Sequence, residues 1–137
     1  MTGLLKIRQM TSRKRNRGLI AIVDNDPVFE DQIAEALADS GFEVIVVTSG
    51  YELLSVLSID RPSVIIMDTM LSWIDGPRFL EALQRNPFLK DTRVIFTSRR
   101  GSINERIPEG IEIFYKPGDI KRLIGLLIEE DGKDGTT

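Results

Sequence analysis

The 137-residue chain has no cysteine and no histidine. Disulfides, thiolate zinc sites, cysteine nucleophiles and any triad or phosphotransfer step needing an imidazole on this chain are therefore excluded. Aromatic residues are few, at 7%, with a single Trp and two Tyr. No apolar run approaches the roughly twenty residues that span a bilayer, and the N-terminus lacks the apolar stretch of a secretory signal. The expected location is the cytoplasm, with no membrane contact. Neither a glycine-rich loop nor a Gly-Lys-Ser/Thr sequence follows the first apolar run, so nucleotide and dinucleotide binding are poorly supported. The chemistry left to the chain must run on carboxylates, hydroxyls, Lys and Arg.

What is present suits one compact domain: 42% hydrophobic and 28% charged residues over this length. The net charge of −3 hides an asymmetry, because Lys6, Arg8, Arg13, Lys14, Arg15 and Arg17 precede Gly18 and the first acid is Asp24. Beyond that point 12 basic face 21 acidic residues, a body at −9. Residues 1–18 read as a basic, flexible leader, 19–130 as the domain and 131–137 as a polar tail. So acidic a body does not favour nucleic acid, and only the leader could contribute to such contact.

From Leu19 onward, short apolar runs alternate with amphipathic stretches. Leu19–Val23 is a strand with both faces covered. Asp26 caps a helix with Pro27 in its first turn, and Val28, Phe29, Ile33, Ala36 and Leu37 repeat at helical spacing until Gly41. A second strand covers Phe42 to Val47. Ser49-Gly-Tyr-Glu52 then reads as a capping box opening a helix through Leu57. Val64 to Met67 is a third strand ending in Asp68. Asp75 and Pro77 start a third helix that reaches Asn86-Pro87. Further strands cover Val94 to Thr97 and Ile111 to Tyr115. Between them Gly101, Pro108 and Gly110 leave room only for a short fourth helix from Ser102, with Glu105 as its capping partner. Asp119 caps a last helix with Ile120, Leu123, Ile124, Leu127 and Ile128 on its buried side.

Five strands alternating with five helices predict an α/β fold: a doubly wound parallel sheet with helices on both faces. In such sheets function gathers at the carboxyl ends of the strands. There the sequence places Asp24, Asn25 and Asp26 after the first strand, Asp68 after the third, Ser98 after the fourth and Lys116 after the fifth. Clustered acids repel, and the usual remedy is a hard divalent cation held by oxygens, with Mg²⁺ the default. A carboxylate beside such a metal, a hydroxyl and an ammonium suits an anionic tetrahedral group, and Asp68 is the natural nucleophile, giving an aspartyl phosphate. The plainer reading of Asp68 is solvation or helix capping after a strand, but that leaves Ser98 and Lys116 unexplained.

With these residues in place, the chain from about Gly18 to Glu130 resembles the receiver domain of bacterial two-component response regulators. The resemblance rests on Val23-Asp24-Asn25-Asp26-Pro27, on Ile65-Ile66-Met67-Asp68 with Asp75-Gly76 following, on Ser98 thirty residues after Asp68, and on Lys116-Pro117. It implies a flavodoxin-like sheet in the order 2-1-3-4-5 and a signalling module rather than an enzyme. Asp68 would be the phosphoacceptor, Asp24 an acid that helps hold Mg²⁺, Met70 a metal ligand through its backbone carbonyl, Ser98 the hydroxyl meeting the phosphoryl group and Lys116 its cationic partner. The Lys116-Pro117 bond would be cis. A sensor histidine kinase or histidine phosphotransfer protein would supply the phosphoryl group, a downstream protein target would read it, and homodimerisation is possible.

Departures from the family pattern carry expectations of their own. Asn25 stands where the family has a second acid of its pair, so Mg²⁺ should bind weakly. Arg99 replaces a small residue after the hydroxyl and could screen the phosphate or obstruct a donor. Ile113 replaces the usual switch aromatic and is read as core, with Tyr115 two residues on along the same strand face. Ser72 replaces a loop proline, leaving Trp73 as an exposed or half-packed loop aromatic open to a partner. The 18 residues from Ser98 to Lys116 shorten the fourth helix and so alter the usual output face. With only a polar tail after the last helix, the chain reads either as a stand-alone receiver or as a piece of a longer protein.

Two competing readings remain. One is a receiver-like docking module that is never phosphorylated, favoured by Asn25, Arg99 and Ile113. The other takes Asp24-x-Asp26-x-Val28 as similar to the first motif of haloacid-dehalogenase-type phosphotransferases, with Asp24 as nucleophile and Asp26 as general acid. That reading leaves Asp68 without a role, and the chain is short for the fold.

Overall fold

A computed structural model describes residues 17–99, 112–116 and 118–135. Strand β1, Leu19–Val23, is apolar throughout because it is an interior strand of a sheet covered on both faces, with Ile20 to Val23 fully buried. The other strands are β2 (Glu43–Val47), β3 (Val64–Asp68), β4 (Arg93–Arg99) and β5 (Glu112–Lys116). All pairs are parallel and the order is β2-β1-β3-β4-β5. The chain steps outward from β1 to β2 and returns on the other side to β3. The order therefore reverses between β1 and β3, and a crevice opens outside their carboxyl ends.

Alternate residues of each strand enter opposite core layers. Ile20, Ile22, Ile66, Ile95 and Phe114 face helices α1 (Pro27–Asp39) and α4 (Ile120–Gly135), meeting Phe29, Ile33, Leu37, Leu123 and Leu127. Ala21, Val23, Ile45, Met67 and Phe96 face α2 (Gly50–Ile59) and α3 (Gly76–Arg85), meeting Leu53, Val56, Leu80 and Leu83. Ile113 packs against this second layer, as expected of a core residue.

The helix starts follow their predicted caps. Asp26 Oδ1 accepts the Val28 and Phe29 N–H groups, and Asp75 Oδ1 accepts that of Arg78. At α2, Ser49 Oγ accepts from the Glu52 N–H, while Glu52 Oε1 reaches back to the Thr48 N–H, one residue earlier than a standard capping box. Helix α1 stops at Ser40, and Gly41 turns the chain at φ +100°, a conformation L side chains rarely adopt. Gly76 serves a different need. A Cβ there would lie 2.9 Å from the ring of Phe96, which is almost fully buried. Gly76→Ala is therefore expected to destabilise by about 1–3 kcal/mol through overpacking, read as a lower urea midpoint at unchanged slope.

Several expected boundaries move. The Arg17 N–H bonds the Gly41 carbonyl, so ordered structure begins inside the segment read as leader. Residues 1–16 lie outside the described residues. Helix α4 continues to Gly135 rather than giving way to a tail after Glu130, because an established helix adds one hydrogen bond per residue and no proline interrupts it. Strand β4 extends two residues past Thr97, and β5 runs one past Tyr115, so Ser98, Arg99 and Lys116 belong to strands, with Ser98 opposite Tyr115 and Arg99 opposite Lys116. The expected short helix from Ser102 and the peptide bond to Pro117 fall outside the described residues.

Candidate functional site

Asp24 follows β1 and Asp68 ends β3, so the two carboxylates flank the crevice where strand order reverses. Lys116, the last residue of β5, reaches back between them. Its Nζ lies 2.7 Å from Asp24 Oδ2 and 3.3 Å from Asp68 Oδ2, and all three side chains are at least nine-tenths buried. The Phe29 ring of α1 lies beneath the ammonium, 4.5 Å away, a cation–π contact that favours charge in a partly dry setting. Asp68 Oδ1 accepts the Met70 N–H at 3.1 Å and Asp24 Oδ1 that of Asp26 at 2.8 Å. Burial pushes the Asp24 carboxyl above the ordinary aspartate range; Lys116 and the Asp26 N–H pull it back, and the charge of Asp68 adds to the rise.

The other predicted residues fall at varying distances from this centre. Ser98 is fully buried, and its Oγ accepts from Thr69 Oγ1 at 3.1 Å and donates to the Arg99 carbonyl at 3.3 Å. It thus sits beside the residue after Asp68. Asn25 is exposed at the same sheet edge, and Met70, also exposed, presents its backbone to the Asp68 carboxylate. Arg99 reaches across the mouth to Asp26, with Nη2 3.2 Å from Oδ2. Hydrogen bonds from the Phe29 and Val28 N–H groups, together with Arg99, hold the Asp26 carboxyl below the usual carboxylate range. Asp26, Arg99, Lys116, Phe29, Val28 and Gln32 line a cleft of about 330 Å³. Tyr115 is half-buried, and its N–H donates to Asp119 Oδ2. Trp73 is 36% exposed and lies against Gly50 at the start of α2, half-packed as the loop reading expects.

Two features escaped the sequence reading, Thr69 and Glu30. Thr69 engages Ser98. Glu30 is buried on α1 with Oε2 unpartnered, and its carboxyl is pushed up to about 7 by burial, with Asp24, Asp31 and Asp26 adding repulsion and Lys116 opposing it. Thr97 is fully buried, and its hydroxyl has no hydrogen-bond partner among the described residues. A signal for Glu30 existed, since it precedes Ile33, Ala34 and Leu37 at three, four and seven residues and so lies on the apolar stripe.

The donor set suits a hard divalent cation: carboxylates from Asp24 and Asp68, the Asn25 amide oxygen and the Met70 carbonyl are all oxygens, and the Lys116 ammonium 2.7 Å from Asp24 Oδ2 shows that the acid pair draws positive charge. Among the described residues, no group of three or more acidic, His or Cys side chains could hold a metal. The fit therefore rests on two carboxylates, with the amide and carbonyl completing it.

The parallel sheet in this order, with an acid pair and a lysine at its carboxyl edge, defines a doubly wound signalling-type α/β domain. The family model for the response regulator receiver domain matches residues 20–125, and the chain belongs to that family. It is 30% identical over 113 residues to a probable transcriptional regulator, ycf29, of Pyropia yezoensis, covering 79% of this chain and 50% of that protein. It is 29% identical over 89 residues to the response regulator Rre1 of Synechocystis, covering 64% and 38%. The chain thus spans half or less of these relatives. A solved structure of a putative response regulator from Chloroflexus aurantiacus matches with TM-score 0.68 and 23% identity, over 82% of this chain and 98% of that one. The receiver domain of a Pseudomonas aeruginosa sensor histidine kinase, described with a magnesium ion coordinated in its active-site cleft, matches with TM-score 0.65 and 20% identity, over 82% and 98%.

Receiver domains are signalling modules of two-component systems that interact with histidine kinases and downstream effectors. No helix of the described residues is long and apolar enough to cross a membrane. The haloacid-dehalogenase-type reading gains no support from the geometry, since Asp24 is enclosed against Lys116 and Asp26 is engaged by its helix and Arg99.

Proposed function

We propose that this domain accepts a phosphoryl group on Asp68 from a sensor histidine kinase or a histidine phosphotransfer protein and thereby switches a protein–protein interaction. One observation carries the reading: a buried carboxylate at the crevice, 3.3 Å from a buried ammonium that a second carboxylate holds from the other side. An Asp68 oxygen attacks phosphorus of the donor's phosphohistidine. A P–O bond forms as the P–N bond breaks, and the electron pair stays on the imidazole nitrogen, which is protonated. Lys116 then faces the phosphoryl oxygens, and the hydroxyl on the Asp68 face is that of its register partner Thr97 rather than of Ser98, which projects to the other face beside Thr69.

Mg²⁺, which receiver domains typically bind in the active site, would be held by Asp24, Asp68, Asn25 and the Met70 carbonyl, weakly because Asn25 brings no charge. When bound, it neutralises charge on the entering phosphoryl group. The added charge at Asp68 draws Lys116 inward and biases the strand ends that carry Arg99 and Tyr115 toward a second arrangement. The downstream target is a protein, and a second copy of the chain is one possible partner.

Intact mass after incubation with Mg²⁺ and acetyl phosphate tests the reading. A labile phosphoryl adduct is expected on the parent chain and none on Asp68→Asn. Absence of any adduct on the parent, together with failure to bind beryllofluoride, would favour the second reading, a docking module that is never phosphorylated. That reading draws on the Arg99–Asp26 contact across the mouth and on Asn25 in place of an acid.

A further inference from the structure

Phe29 is 5% exposed and belongs to the core layer of Ile20, Ile22 and Ile33, so apolar packing accounts for its burial. Packing does not require that its ring face a charge. Arg61 lies over Phe88 and Arg122 over Phe114 in the same manner, but both guanidinium groups are exposed to water. The Lys116 side chain is only 6% exposed, with Nζ 4.5 Å from the centre of the Phe29 ring. A cation over a ring is held more strongly once the cation has lost its water, so this contact outweighs the other two.

The ring is fixed in place. Phe29 lies in the first turn of α1, and its N–H donates to Asp26 Oδ1 at 3.3 Å, so the cap that starts the helix also sets the ring beside the crevice. The ammonium meets Asp24 Oδ2 at 2.7 Å, Asp68 Oδ2 at 3.3 Å and the ring. Each carboxylate gives its other oxygen to a backbone N–H, Asp24 to that of Asp26 and Asp68 to that of Met70. The ammonium thus holds the charge position between the acids, which a divalent cation bound by the same acids would need.

We propose that Phe29 is a positioning residue that keeps the Lys116 ammonium between Asp24 and Asp68 and thereby weakens Mg²⁺ binding at the acid pair. The inference rests on the reading that Asp24 and Asp68 hold Mg²⁺. The ring attracts an ammonium that is already dry, and it offers little to Mg²⁺, which dehydrates reluctantly and keeps several waters. A metal drawn to the two carboxylates displaces the ammonium, which then loses the ring as well as the acids. Metal binding must offset that loss in addition to the charge missing at Asn25. The effect belongs to the electrons on the ring face and not to the ring's volume.

The test titrates Mg²⁺ into the isotope-labelled full chain at neutral pH and constant ionic strength. It follows the amide signals of Asp26 and Met70, whose N–H groups bond the two carboxylates. At position 29 the chain carries phenylalanine or its monofluorinated, difluorinated or trifluorinated form, which keep the ring and progressively empty its face of negative charge. The dissociation constant is expected to fall with each fluorine, reaching roughly tenfold below wild type in the trifluorinated chain. Phe29→Leu is expected to follow the trifluorinated chain, and its failure to fold would leave the fluorine series as the deciding measurement. In a Lys116→Met background the same fluorine series should leave the dissociation constant unmoved. A wild type that binds Mg²⁺ with a constant indifferent to fluorination overturns the inference and leaves the metal site standing. An equal response to fluorine in the Lys116→Met background also overturns it, because the ring would then act without the ammonium. A wild type that does not titrate with Mg²⁺ overturns the metal reading and this inference together.

Discussion

Lys116→Met is expected to destabilise the domain by about 3–5 kcal/mol at neutral pH, measured by urea unfolding. The substitution keeps the apolar stem over Phe29 and removes only the ammonium. Asp24 and Asp68, both buried, then face each other across the crevice without a cation between them. Two consequences separate this from ordinary loss of packing. The deficit should shrink on acidification, because Asp24, already raised by burial, takes up a proton in the native state. Millimolar Mg²⁺ should recover part of it, since a divalent cation can occupy the vacated charge position. A variant equally weak at every pH and indifferent to Mg²⁺ would mean that the ammonium does not hold the acid pair together.

Glu30→Gln is expected to act in the opposite direction, stabilising the domain by about 3 kcal/mol at pH 8 and by little at pH 4. The Glu30 carboxyl is buried with Oε2 unpartnered, and its pKa rises from 4.5 to about 7. Between those two values the native state holds a proton that the unfolded chain has released, so stability falls as pH rises through the window. Above about 7 the carboxylate is charged in both states, and the native state carries the full cost of burying it beside Asp24 and Asp26. Glutamine keeps the shape and removes the charge. Urea midpoints of parent and variant at intervals from pH 4 to 8 should converge at the acid end and diverge between 4.5 and 7. Parallel curves would show that Glu30 does not titrate in this range.

How far such features could be read in advance depended on the kind of interaction behind them. The parallel α/β architecture was legible because Leu19–Val23, Val64–Met67 and their neighbours are apolar without alternation, a pattern only a doubly covered strand requires. Asp26, Ser49 and Asp75 announced the helix starts for an equally local reason, since a cap bonds the backbone two or three residues along. Asp24, Asp68, Ser98 and Lys116 could be placed at one edge because each follows or ends a strand, and parallel strands put all their carboxyl ends together.

Contacts between distant residues were not legible in the same way. Nothing in the chain states that Lys116 pairs with both acids, that Arg99 reaches Asp26 rather than Asp68, or that the Ser98 hydroxyl is engaged by Thr69. Those outcomes depend on strand register, on a one-residue alternation that sends Thr97 and Ser98 to opposite faces, and on rotamers chosen against neighbours from other strands. The helix running to Gly135 was hidden because weak helix formers such as Gly132 conceal a segment carried along by the packed helix before it. Periodicity and local hydrogen bonding thus determined the elements and the edge where the acids gather. Burial, register and the distances across that edge decided which groups are paired and which face the crevice.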